Sequence, residues 1–229
     1  MIKREYLAEA VGTFALVFAG TGAIVINDVS GGAITHPGIA ITFGLIVMAM
    51  IYAVGDVSGA HLNPAVTIGF LVAGRAQRRT IVPYLVAQLA GAALASLLLK
   101  SMFFDHATLG ATMPSGSAWQ SFVMELVLTF LLMLVILQVS SGSKETGIMA
   151  GIAIGGVVAL EAMFAGPISG ASMNPARSIA PAIFCGDWAV ISRQWIYITA
   201  PILGAGLAVP IHNMLRREPT ASRDQSGSN

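Results

Sequence analysis

Apolar positions in this chain run in long blocks, broken at only a few places by Gly, Ser, Asn and charged residues. Six blocks approach or exceed the roughly 20 residues a helix needs to cross a bilayer: residues 4–26, 38–55, 80–101, 118–140, 147–165 and 194–214. Polar joins separate them: NDVSGGAITHP after the first, FFDHATLGATMPSGS after the third and SSGSKETG after the fourth. Two further apolar segments, Pro64 to Leu71 and Pro175 to Phe184, are too short to span. Each follows an asparagine, Asn63 or Asn174. Asn is a good N-cap, and Pro suits the first helical position because its missing amide would be unpaired there anyway. These segments therefore read as re-entrant half-helices, each entered through irregular backbone. Such backbone is tolerated at membrane depth only where it is buried in protein or lines a watery cavity. The pattern predicts an all-α membrane protein of six transmembrane helices plus two re-entrant half-helices, built around a pore.

The two short segments belong to a repeat. SGAHLNPAV at residues 58–66 returns as SGASMNPAR at 169–177, identical at six of nine positions. EAVGTF at 9–14 returns as ELVLTF at 125–130, and GIAITFG at 38–44 has a partner in GIAIGG at 151–156. The third and sixth spans both carry small residues, around Gly91 and Gly204. Repeat 1 covers about 4–101 and repeat 2 about 118–214, within one channel domain at 1–215. Three spans per half start the second copy on the opposite side of the membrane, so the repeat is inverted, and inverted repeats place their site at the midplane. Residues 216–229 (RREPTASRDQSGSN) are polar and are expected to be a disordered tail.

Composition agrees with a membrane chain. Of the 229 residues 55% are hydrophobic and 10% charged, with a mean hydropathy of +0.78, against about 25% charge in soluble domains. A single Cys rules out an intramolecular disulfide, and His and Cys show no metal-ligand spacing. No nucleophile–base pair or phosphate loop is present, so neither an enzyme nor a cofactor is expected. The net charge of +1 gives no reason to expect nucleic acid. The first block contains Glu9 and no soluble region follows it, so it reads as a span, not a cleaved signal. Lys3, Arg4, Arg75, Arg78, Arg79, Lys144, Arg216, Arg217 and Arg223 fall on one side and only Lys100 and Arg193 on the other. By the positive-inside rule both termini are cytoplasmic in a multi-pass protein of the cell membrane.

The candidate chemistry sits where the half-helices meet. Two helix N-termini facing each other place about half an elementary charge each at the midplane. Asn63 and Asn174 can cap with their oxygens and offer amide donors to the lumen, an arrangement that repels cations. Arg177 is a charge within the membrane and hence a functional candidate. His61, with the carbonyls of Gly59 and Ala60, is placed at the approach to Asn63; Gly170 and Ser172 are the lining candidates of the second loop. Glu9 and Glu125 hold equivalent places. They are expected to accept hydrogen bonds from the re-entrant amides or to be protonated, the alternative being a proton relay. Glu161 has no counterpart in the first half, and either pairs behind the pore or influences solute choice.

The two Asn-Pro-Ala motifs (Asn63, Pro64, Ala65 and Asn174, Pro175, Ala176), the Arg after the second, and Glu-x-x-x-Thr-Phe in the first and fourth spans resemble the aquaporin (major intrinsic protein) family. MIYAVGDVSGAHLNPAVT, GPISGASMNPARS and WIYITAPILGA look most like its nodulin-like members and their prokaryotic relatives. The resemblance implies a passive channel, a homotetramer with one pore per subunit, and an outer selectivity filter of Phe43, Ala162, Ala171 and Arg177. Strict water channels of the family usually carry His where this chain has Ala162. The smaller residue implies passage of glycerol, urea or neutral metalloid acids such as arsenous or boric acid as well as water, with ions and protons excluded. Phe43, Ser178 and Ala182 pull toward the alternative, a strictly water-selective pore. A proton-coupled secondary transporter and a structural junction protein are the remoter alternatives.

Overall fold

The computed structural model describes residues 3–141 and 148–216. Lys144, Arg217, Arg223 and the expected disordered tail lie outside the described residues. The helices are α1 (Arg4–Val29), α2 (Thr35–Ser58), α3 (Pro64–Val72), α4 (Arg78–Met102), α5 (Ala118–Val139), α6 (Ala150–Ser169), α7 (Pro175–Cys185), the single turn α8 (Trp188–Ile191) and α9 (Gln194–Leu215). The six long ones (α1, α2, α4, α5, α6 and α9, the last counted with α8) are long and apolar enough to cross a membrane. Leu7, Leu45, Val82, Leu94, Leu131 and Leu207 face outward from them, as a lipid-facing surface requires.

The second and fifth spans run further than the apolar blocks suggest. The blocks stop at Gly55 and before Gly166, but α2 and α6 continue through these glycines to Ser58 and Ser169. What ends them is a left-handed residue, Gly59 at φ 85° and Gly170 at φ 87°. Glycine adopts that conformation without a Cβ penalty.

Packing follows the repeat. Ideal Cβ atoms on Gly91 of α4 and Gly204 of α9 would lie 2.1 Å from the carbonyl oxygen of Ala10 and 2.2 Å from that of Leu126. The α1–α4 and α5–α9 pairs therefore approach backbone to backbone, as small residues allow in membranes. At the centre α2 crosses α6: a Cβ on Gly44 would lie 2.5 Å from the Gly155 carbonyl oxygen, and one on Gly155 2.5 Å from that of Gly44. Both glycines stand nineteen residues before their loop asparagine. This pairing corrects the register suggested by the GIAI letters, which matched Gly38 with Gly151. The half-helices exchange sides, α3 packing on α9 and α7 on α4, so neither half closes without the other.

Candidate functional site

Each SGA-x-x-N loop is folded by the same strained backbone. Gly59, Ala60 and Leu62 are left-handed at φ 85°, 46° and 52°; Gly170, Ala171 and Met173 repeat this at 87°, 41° and 54°. A non-glycine residue held there costs on the order of 1–3 kcal/mol, so the surroundings must impose it. Two buried carboxyl groups do. Glu9 accepts from the amides of His61 (2.9 Å) and Leu62 (2.7 Å), from Ser58 Oγ (2.7 Å) and from Gln88 Nε2 (2.8 Å). Glu125 accepts from the amides of Ser172 (2.9 Å) and Met173 (2.8 Å) and from Ser169 Oγ (2.7 Å). Outside each loop a tyrosine hydroxyl holds the helix end: Tyr84 donates to the Ser58 carbonyl (2.8 Å) and Tyr197 to that of Ser169 (2.7 Å).

The asparagines join the loops. Asn63 Oδ1 accepts from the amide of Ala65 and caps α3; Asn174 Oδ1 accepts from Ala176 and Arg177 and caps α7. Each side-chain amide also crosses to the other loop, Asn63 Nδ2 to the Met173 carbonyl at 2.7 Å and Asn174 Nδ2 to the Leu62 carbonyl at 2.9 Å. An amide group carries two N–H donors, so each asparagine keeps one beyond this bond. Pro64, Ala65, Pro175 and Ala176 are buried in the first turns of α3 and α7, where the helices abut.

Both asparagines line a cavity of about 150 Å³. Its lining is apolar where α2, α5 and α6 contribute Val47, Ile51, Leu132, Ile136 and Val158, and polar where the loops and α7 contribute His61, Ser172 and Arg177. Phe43, Ala162, Ala171 and Arg177 line the same cavity. The Arg177 guanidinium carbon lies 5.0 Å from the Phe43 ring centroid, and Nη1 donates to the Gly110 carbonyl at 2.8 Å. Phe43 leans back on α1, where a Cβ on Gly20 would fall 2.1 Å from its ring. His61 also borders a second, polar cavity of about 300 Å³, with Lys3, Arg75 and Arg79, at the end where α1 begins.

A model of the major intrinsic protein family matches residues 1–212. The chain belongs to that family. As a nodulin-26-like aquaporin it is 50% identical over 211 residues to rice Aquaporin NIP1-4, covering 92% of this chain and 76% of that one. It is 46% identical to the Probable aquaporin NIP4-2 of Arabidopsis thaliana, over 94% and 75% of the two chains. The aquaglyceroporin of Plasmodium falciparum superposes with a TM-score of 0.80 at 26% identity, over 93% of this chain and 96% of that one. This aquaporin is thus a multi-pass membrane channel and not an enzyme.

Asn63, Asn174, Phe43, Ala162, Ala171 and Arg177 border one cavity, and four of the five lining candidates of the loops join them. Gly59, Ala60, His61 and Ser172 line the cavity; Gly170 does not. It is the left-handed cap of α6, and a Cβ there would meet Thr112 at 2.9 Å instead of the lumen. Glu161 is fully buried, and among the described residues neither of its carboxyl oxygens has a hydrogen-bond partner. The α4–α5 join contributes to the site as well. It supplies Gly110 to Arg177 and Thr112, whose hydroxyl donates to Ser178 Oγ at 2.8 Å; Ser178 in turn bonds Ser172 Oγ. The sequence signals only a polar loop there. Tyr84 and Tyr197 were readable in principle, because they fall at matching depths of the third and sixth spans.

Proposed function

We propose that this aquaporin conducts water together with small uncharged solutes such as glycerol, urea and neutral arsenous or boric acid, and excludes ions and protons. The observation that carries the reading is the filter wall. Ala162 and Ala171 present only methyl groups to the cavity that Phe43 and Arg177 share, which leaves room for a solute wider than water. The fixed amides of Asn63 and Asn174 and the Arg177 guanidinium donate to a solute's oxygens. The apolar part of the lining makes no demand on its carbon skeleton. The same donors and the paired half-helix N-termini oppose hydronium and metal cations.

The positive residues Lys3, Arg4, Arg75, Arg78, Arg79 and Arg216 lie toward the end where α1 begins and α9 stops. They support cytoplasmic termini in a cell membrane. The family supports a homotetramer with a pore in each subunit. One observation favours a second reading, strict water selectivity: Arg177 lies over the Phe43 ring, and this pair supplies the two bulky side chains of the filter.

Stopped-flow light scattering on proteoliposomes separates the two. A sucrose jump followed by fast shrinkage shows water conduction. Fast reswelling in glycerol or arsenous acid supports the wider pore, and fast shrinkage with no reswelling in any of the small solutes supports the narrow one. Shrinkage no faster than in empty liposomes rejects both.

A further inference from the structure

The outer half of α6 contains a defect that the sequence creates and a neighbouring helix repairs. Pro167 lies inside α6 and has no amide hydrogen, so the carbonyl four residues earlier, that of Met163, is left without its helix partner. An unpaired carbonyl inside a bilayer is costly. His36 Nε2, from the first turn of α2, lies 2.7 Å from this carbonyl oxygen. The carbonyl can only accept, so Nε2 carries the proton and donates. Gly166 makes the contact possible, because a Cβ there would fall 2.7 Å from the imidazole Cε1. His36 itself is on a fixed base: the amide of the preceding Thr35 donates to Asn27 Oδ1 at the end of α1, at 2.8 Å.

The position of this tie gives it a role. Met163 directly follows Ala162, and Phe43 lies two turns along α2 from His36. One hydrogen bond thus joins the helix that carries the aromatic filter residue to the helix that carries the small one, on the side of the glycine crossing where the filter lies. The opposite side has a similar tie, Tyr52 Oη donating to the Ile148 carbonyl at 3.1 Å with its ring laid over Gly151. That one is remote from the filter.

We infer that His36 is a positioning residue for solute selectivity: by satisfying the carbonyl that Pro167 frees, it holds α6 against α2 and fixes the width between Phe43 and Ala162. The inference rests on the filter proposed above.

The test is the ratio of glycerol to water permeability of the full chain in phosphatidylcholine–phosphatidylglycerol proteoliposomes. His36→Ala releases α6 and raises the ratio about threefold, a typical size for coupled neighbours. Gly166→Ala, which displaces the imidazole, raises it likewise and serves if the first variant does not fold. His36→Gln, which keeps a donor, stays near the parent ratio. Pro167→Ala restores the amide, so in that background His36→Ala no longer moves the ratio. Tyr52→Phe lowers thermal stability without changing the ratio. The inference is overturned if His36→Ala and Gly166→Ala leave the ratio unchanged while Phe43→Ala alters it, or if Tyr52→Phe shifts the ratio as much as His36→Ala. If Phe43→Ala is also without effect, the filter assignment fails and takes this inference with it.

Discussion

Asn63 donates its side-chain amide to the backbone carbonyl of Met173, 2.7 Å away in the other repeat, and Asn174 returns the bond to Leu62. Each asparagine therefore caps its own half-helix and fastens the opposite loop. Asn63→Asp keeps the cap but replaces the crossing donor with an oxygen facing an oxygen. It is expected to destabilise the protein by about 1–3 kcal/mol, as for an unsatisfied buried polar group, and to lower water permeability. Thermal unfolding in detergent and a sucrose-jump assay measure the two effects.

Glu9 and Glu125 distinguish scaffold from proton relay. Each accepts two successive loop amides. A glutamine keeps one acceptor oxygen and turns an N–H toward donors. Glu9→Gln and Glu125→Gln should both lower the melting temperature and the water flux, Glu9→Gln by more because Gln88 also depends on Glu9. A relay predicts altered proton flux with the melting temperature unchanged.

Ala162 faces the lumen beside Phe43 and Arg177. Ala162→His fills that space with an imidazole. Glycerol permeability should fall about tenfold or more, within the range that pocket size achieves, and water permeability far less. An equal loss of both would place the filter elsewhere.

Gly20 lets the Phe43 ring lie back against α1. Gly20→Ala should push the ring into the lumen and lower the glycerol-to-water permeability ratio, opposite in sign to the effect of freeing α6. The same reconstituted assay reads it.

Gly91 and Gly204 face backbone, which cannot move aside as a side chain can. Gly91→Ala and Gly204→Ala should each abolish a monodisperse, folded product in size-exclusion chromatography. Gly206→Ala, on α9 where no described residue lies within 4 Å of the added Cβ, should leave that profile unchanged.

The sequence by itself determined the membrane class, the six spans, the two half-helices and their inverted relation. These depend on hydropathy block length, on Asn-Pro start signals and on a repeated motif, all of which are local. It also picked out Asn63, Asn174, Arg177, Glu9 and Glu125, because a polar residue inside an apolar block has few bland explanations. The tertiary structure alone decided what those residues touch. The Gly44–Gly155 crossing, Gly110 beneath Arg177, Gly20 behind Phe43 and the His36–Met163 tie all join positions far apart in the chain. Each depends on a contact across helices that no spacing or propensity encodes. Gly170 shows the same limit: its motif position marks it as belonging to the loop, but its left-handed backbone aims the Cβ direction at Thr112 and away from the pore.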